Sequence, residues 1–402
     1  MFFIILGFHK IKSSKTINVV GQFQFADGLN RIPLVVIDML KDKFHFNCIK
    51  SRDSKPILSD ISKEIEKIIL NKKNLSLGDF TLFFDTPWNY FSDTLKYLPK
   101  NGIKIAYSML ESSALHEKWV ENLNKNFDAV VVPDKFVANM YEESGVLLPI
   151  FILPIPLYLK SFLDQPQKKN PHEVFTFGVS GWFGFAKNHL LLLEVFLLNF
   201  KNRPNIQLKI HGRDGSTDQE LNDILIKINI ANVEIIKKIF THQEYIDFLN
   251  SLDCYVLLSR GEGFSITPRE AMACGLPCIL SNNTAHKTIC TTQLVKAVPS
   301  EIKIYMNEPD YDPRKGYQLT SSIEDSKNAL LDVYNNYEFY LKKAEEARLW
   351  ASQYNYTNLK PLFINLILPK KLSLGNTNII TEEGLTTNSL LLYDKYKKYL
   401  GE

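Results

Sequence analysis

Two glutamates, Glu262 and Glu270, stand eight positions apart in the segment Ser259-Arg-Gly-Glu262-Gly-Phe-Ser-Ile-Thr-Pro-Arg-Glu270-Ala-Met-Ala-Cys-Gly-Leu-Pro277. The segment follows an apolar run and opens a helical pattern. A carboxylate suits paired hydroxyls, because each of its oxygens accepts strong hydrogen bonds. One acid at a strand end and one on the first helical turn can therefore meet the hydroxyls of a sugar and the diol of a ribose. Gly261 and Gly263 let the backbone come close to such a ligand without side chains in the way. Thr267 suits a helix N-cap and Pro268 the first turn, which leaves the amides around Ile266–Glu270 pointing outward. Unpaired amides at the positive end of a helix make a phosphate site. Taken singly, each acid also has a plainer reading, Glu270 as a complement to the helix dipole and Glu262 as a solvated loop acid.

A second stretch reads Gly178-Val-Ser-Gly181-Trp-Phe-Gly-Phe-Ala-Lys187-Asn188-His-Leu-Leu-Leu-Leu-Glu-Val-Phe196. Here a glycine-ended strand leads to Lys187 at the start of a Leu-rich helix. Lysine is unfavourable against the dipole at that end, so an ordinary exposed lysine is the weaker explanation. A fixed ammonium held at such a turn suits an anionic group. Lys209-Ile-His-Gly212-Arg213 also ends a strand in glycine, a common pattern and a modest signal.

The first segment closely resembles the Glu-x7-Glu signature of the retaining GT-B glycosyltransferases, the glycosyl transferases group 1 (glycosyltransferase family 4). Members commonly read Glu-Gly-Phe-Gly-Leu-Pro-x-x-Glu-Ala-Met-Ala-Cys-Gly-x-Pro-Val. This chain matches at Glu262, Gly263, Phe264, Glu270, Ala271, Met272, Ala273, Cys274, Gly275 and Pro277, with Ser265 and Thr267 in place of the usual Gly and Pro. The resemblance implies a sugar transfer from a UDP- or GDP-sugar, with retention and without metal or cofactor. The acceptor would be a glycan, lipid-linked or protein group. Glu262 and Lys187 would be the catalytic pair. Glu262 would contact the transferred sugar, and the backbone of Gly263, Phe264, Ser265, Ile266 and Thr267 would hold sugar and diphosphate. Glu270 would bind the ribose, with Gly181, Gly212 and Arg213 at the nucleotide edge and residues 235–240 near the base. The family's phosphate-binding arginine, usually just after the glycine matching Gly181, is absent; Trp182 stands there, leaving Arg260 or Arg213 to substitute. On the acceptor side the resemblance points to the loop Gly21–Arg31 after the first strand, with Gly28 in it, to Glu111 where relatives often place a histidine, and to His116. A nucleotide-sugar epimerase of the same shape and a catalytically silent scaffold share this architecture. Conversion of donor without any acceptor marks the epimerase, and indifference of transfer to Glu262→Ala supports either rival.

The elements that must position these residues form two runs. Apolar strands are expected at Thr16–Val20, Thr81–Phe84, Lys104–Met109, Ala129–Pro133 and Ile150–Leu153, with helices at Pro33–Lys41, His116–Asn124 and Lys135–Ser144. Alternation restarts after the polar, proline-bearing stretch Asp164–Pro171. Strands follow at Val174–Val179, Gln207–His211, Val233–Ile236, Cys254–Leu258 and Pro277–Leu280, with helices at His189–Phe200, Gln243–Leu252 and Pro268–Cys274. Strand–helix repetition predicts parallel sheets covered on both faces. The fold class is α/β, with two doubly wound Rossmann-like domains facing across a cleft, where open sheets bind ligands at their carboxyl strand ends. The expected division is an acceptor domain over 1–162, a linker over 163–172, a donor domain over 173–345 and a helical tail over 346–402 crossing back to the first domain. Asp325–Gln353 reads as one long helical pattern.

A length of 402 residues, 45% hydrophobic and 23% charged, suits a globular chain of two domains. A net charge of +3 without a basic stripe argues against nucleic-acid binding. Five cysteines at 48, 254, 274, 278 and 290, without zinc-finger histidine spacing, read as reduced thiols and imply a reducing cytoplasm. The opening Met1–Phe8 lacks the flanks of a secretion signal and is too short to span a bilayer, so it reads as a strand. A cytoplasmic location is expected, compatible with peripheral attachment at the inner membrane face. Asp310-Tyr-Asp312 resembles a cation-binding Asp-x-Asp, but its flanking Pro309 and Pro313 favour a loop, and no metal is expected.

Overall fold

The structure is a computed structural model that describes residues 15–24, 28–51, 61–70, 77–87, 94–212, 230–305, 314–369 and 387–401. Met1–Phe8, Arg213 and the Asp310–Asp312 loop lie outside the described residues.

The first sheet contains β1 (Thr16–Gly21), β2 (His45–Lys50), β3 (Phe80–Phe84), β4 (Ile103–Tyr107), β5 (Ala129–Val132) and β6 (Ile150–Ile152). All its pairings are parallel, in the order β2-β1-β3-β4-β5-β6. The second contains β7 (Phe175–Ser180), β8 (Ile206–Gly212), β9 (Val233–Lys237), β10 (Cys254–Leu257), β11 (Cys278–Asn282) and β12 (Lys296–Pro299). It too is wholly parallel, in the order β9-β8-β7-β10-β11-β12. Every residue of β3, β5 and β10 is buried, as a strand covered on both faces requires. Two doubly wound sheets facing across a cleft are the architecture expected from the sequence.

Strand order reverses between β1 and β3 in the first sheet, and between β7 and β10 in the second. Loops leaving such a pair diverge to opposite faces and open a crevice at the carboxyl ends of the strands. The loops after β7 and β10 carry Lys187 and Glu262, and the loop after β1 carries Gly28 and Arg31.

Several elements depart from the sequence expectation. Strand β2 and the helix Lys63–Leu70 were not marked; β2 has only one buried residue, Phe46, so it lacks the apolar run that identified its neighbours. The long pattern after Asp325 is broken into helices Ile323–Asn335 and Tyr337–Ser352. Asn336 leaves helical geometry at φ −115°, ψ 35°, and its side chain donates to Asp332 Oδ1 at 2.7 Å. Such local bonding competes with helix continuation.

The chain ends on the first sheet's side. Helix Tyr356–Ile367 packs on helix Ile32–Leu40, and in Thr387–Leu400 the rings of Tyr396 and Tyr399 lie 6.1 and 5.6 Å from that of Phe80. Where the chain passes back, Leu157 and Asn355 form a bridge, with Leu157 N–H donating to Tyr354 O and Tyr356 N–H donating to Leu157 O. The halves also meet at a short antiparallel pairing of Ala114–Leu115 with Arg314–Lys315, and Thr288 donates to Asp134 at 2.7 Å. All five cysteines are free thiols, four of them buried. No described helix is long and apolar enough to cross a membrane, and no metal-binding cluster occurs among the described residues.

Candidate active site

A cavity of about 470 Å³ opens at the carboxyl ends of both sheets. From the first half it takes Gly28, Arg31, Thr86, Met109, Glu111 and Trp119, among others. The second half supplies Gly181, Trp182, Lys187, Gly212, the whole run Glu262–Thr267, and Glu270.

Glu262 and Lys187 face one another at this cavity. Lys187 Nζ donates to Glu262 Oε1 at 2.6 Å. Asn188, in left-handed geometry at φ 55°, turns the chain after Lys187, and its side chain donates to Leu258 O at 3.1 Å, tying that turn to the end of β10. The backbone of Glu262 is held as well, its N–H donating to Thr284 Oγ1 at 2.8 Å. Burial alone would lower the Lys187 ammonium, but the carboxylates of Glu262 and Glu111 outweigh it and raise the group above 10.5. The lysine is thus firmly charged beside a buried acid.

Glu270 lies on the same wall. Its Oε1 accepts from Arg31 Nη2 at 2.6 Å, across the cleft from the other half. Its Oε2 is buried without a hydrogen-bond partner, and so is the hydroxyl of Tyr245, another cavity residue.

Between the two acids the backbone is bent sharply. The helix begins at Ile266, and its N-cap is Ser265, at φ 66°, ψ 83°, not Thr267. Thr267 instead lies in the first turn, its Oγ1 2.7 Å from the Tyr255 hydroxyl. Pro268 is tolerated there because first-turn N–H groups have no intrahelical partner. Left-handed geometry is costly for a serine, and the Ser265 hydroxyl is anchored 2.7 Å from His286 Nε2. Burial lowers His286 to about 4, so it stays neutral. Arg269 is fully buried beneath the loop; it donates to Phe264 O and Ser265 O and stacks 3.8 Å from the Phe264 ring and 4.5 Å from the Tyr354 ring.

Gly212 and Gly181 pack closely, since a Cβ on Gly212 would stand 2.6 Å from Gly181 O. Beside them His211 stacks on Phe240 at 3.8 Å and 8°, accepting from Ser180 at Nδ1 and donating to Lys238 O at 2.9 Å. Of the residues singled out in the sequence, Gly261, His116 and Arg260 do not line the cavity. His116 caps helix Glu117–Asn126, its Nδ1 accepting from Lys118 N–H, and does not line the cavity. Arg260 stacks 3.8 Å over Phe185 and donates to Phe185 O, so it does not replace the absent arginine at the cavity wall. Tyr245 and the stacking of His211 on Phe240 were missed, although Phe240 falls in the stretch 235–240 expected near the base. Arg31 ends the loop Gly21–Arg31 expected on the acceptor side, but its pairing with Glu270 was not foreseen.

The comparisons with known proteins agree with this geometry. Both sheets and their cleft make this a GT-B fold, shared with several solved structures. Sucrose-phosphate synthase from Thermosynechococcus elongatus superposes with a TM-score of 0.62 at 14% identity, over 88% of this chain and 98% of that one. Anabaena HepE in complex with UDP-glucose gives 0.58 at 11%, over 88% and 99%. TarM, known from S. aureus, gives 0.53 at 18%, over 72% of this chain; the chain spans about half of TarM's length, 54%. Residues 161–293 match the sequence model of the family described as glycosyl transferases group 1. No curated protein matches the chain in sequence.

Proposed function

We propose that the protein is a retaining glycosyltransferase that moves a hexosyl or N-acetylhexosaminyl group from a UDP- or GDP-sugar to a glycan, lipid-linked or protein acceptor. The convergence of Glu262, Lys187 and Glu270 on one cavity carries this reading. Glu262 accepts hydrogen bonds from hydroxyls of the transferred sugar, and Glu270 accepts those of the ribose. Backbone amides of Gly263–Thr267 and the start of helix Ile266–Ala273 face the diphosphate. The bond from the anomeric carbon to the diphosphate oxygen breaks, and the acceptor oxygen bonds to that carbon on the same face. The acceptor proton passes to the departing phosphate oxygen. Lys187 stabilises that oxygen's growing charge, a task that needs no metal.

The group 1 match over residues 161–293 and the UDP-glucose bound to HepE support a nucleotide-sugar donor. The first half, 1–162, is assigned to the acceptor, with Gly28 and Glu111 on its cavity side. Residues 173–345 are assigned to the donor, with 163–172 joining the two and 346–402 forming the tail. A cytoplasmic enzyme working at the inner membrane face fits a lipid-linked acceptor.

Isothermal titration against a panel of nucleoside diphosphates tests the donor assignment; saturable binding of UDP or GDP is expected, and no binding by any member overturns it. Mass-spectrometric screening of donor hydrolysis then identifies the sugar.

A further inference from the structure

The carboxylates of Glu111, Glu262 and Glu270 line the cavity, and a diphosphate would add negative charge to the same space. Among the described residues the Lys and Arg side chains that line it are Arg31, Lys187 and Lys238. Lys238 is turned to Glu244 on the rim, and Lys187 is paired with Glu262. Arg31 is paired with Glu270, the side-chain exposures being 20% and 4%. That pair joins the two halves. It also occupies only one oxygen of Glu270, leaving Oε2 without a partner; the hydroxyl of Tyr245, which lines the same cavity, is unpartnered too.

Resting on the donor assignment above, we propose that Arg31 is an exchangeable counter-ion that binds the donor's diphosphate. In the empty protein its guanidinium neutralises Glu270. When a nucleoside diphosphate enters, the ribose hydroxyls donate to Glu270 and the Tyr245 hydroxyl bonds the same sugar. Released from Glu270, the guanidinium turns onto the phosphate oxygens, for which its planar fork is well suited. A buried acid is never left bare, because the ribose replaces the arginine as the arginine leaves. The cation missing where Trp182 stands is thereby supplied from the opposite half, so donor binding draws on both sides of the cleft.

The test uses the full chain as wild type, R31Q, R31K, E270Q and R31Q/E270Q. UDP and GDP are titrated by calorimetry, and uridine and guanosine by ligand-observed NMR. R31Q should weaken the diphosphate by about tenfold or more while leaving the nucleoside unchanged or tighter. R31K, which keeps the charge but not the fork, should fall between. The double variant removes the risk that an unpaired Glu270 unfolds R31Q; adding R31Q to E270Q should again weaken the diphosphate alone. Equal weakening of nucleoside and diphosphate would show that Arg31 only orients Glu270 and would overturn the exchange. Unchanged diphosphate affinity in R31Q and in the double variant overturns it too, while the donor assignment stands. Failure of the wild type to bind any of the four ligands overturns the donor assignment and the exchange together.

Discussion

Gly261 in the second half lies against the carbonyl oxygen of Glu111 in the first, so close that a Cβ would stand 2.4 Å from it. The same carbonyl accepts from Gln318 Nε2 at 2.8 Å. Two residues later, a Cβ on Gly263 would meet Met109 at 3.0 Å. These glycines matter first as the seam along which the halves touch.

Gly261→Ala should therefore push backbone against backbone at that seam. Overpacking of this kind costs about 1–3 kcal/mol. We expect a lower melting temperature and a loss of donor turnover, both read on the purified variant. A variant with native stability and native turnover would show that the seam opens freely.

Ser265 separates strain from anchoring. Ser265→Gly relieves left-handed strain of about 1 kcal/mol but gives up a hydrogen bond of about the same worth. Ser265→Ala gives up the same hydrogen bond, leaving His286 Nε2 unpaired just as the glycine does, and keeps the strain as well. Chemical denaturation should place the alanine variant below the glycine variant. The opposite order would mean that the left-handed turn at Ser265 carries no strain.

Acid should destabilise the protein through its buried histidines. His189 has neither ring nitrogen hydrogen-bonded; burial, with Lys187 and His211 nearby, lowers it from 6.5 to about 3. Burial takes His286 from 6.5 to about 4. Folded values below the unfolded one mean that the unfolded chain binds more protons in this window. Stability is then complete above 6.5 and declines as pH falls through the unfolded value toward the folded ones. Melting temperatures should drop between about pH 7 and about pH 5, before most carboxylates titrate. His189→Phe, set against Phe183, should flatten the slope; an equally steep slope in the variant assigns it to other groups.

Thiol chemistry should be silent until the chain unfolds. Burial raises Cys48, Cys274 and Cys290 to about 12 and moves Cys254 and Cys278 upward as well. Thiolate, the reactive form, is then scarce at neutral pH. Mass spectrometry after iodoacetamide should find no adducts on native protein and five in denaturant. Rapid native labelling of Cys254, Cys274, Cys278 or Cys290 would contradict the burial described.

Much of this was legible in sequence because the chemistry is local. The apolar runs of β3, β5 and β10 announce strands buried on both faces, and Glu262 and Glu270 sit in one continuous string with their loop. Helix His189–Phe200 begins and ends where its Leu-rich pattern does. What escaped depends on distance along the chain or on backbone geometry. Arg31 meets a partner 239 residues away, and nothing near Arg31 indicates it. The Thr267-Pro268 pair looks like a helix start, yet the turn falls at Ser265, where tertiary contacts with His286 and Arg269 hold the left-handed serine. His116 has the right residue type near the right strand, but the helix behind it claims its Nδ1.

The bridge between Leu157 and Asn355 brings the outgoing and returning passages of the chain side by side at a single spot. The chain itself passes through that spot twice, so the halves stay joined there even when the pairing of Ala114–Leu115 with Arg314–Lys315 and the Thr288–Asp134 hydrogen bond are broken. Any motion that parts those contacts therefore turns about the crossing.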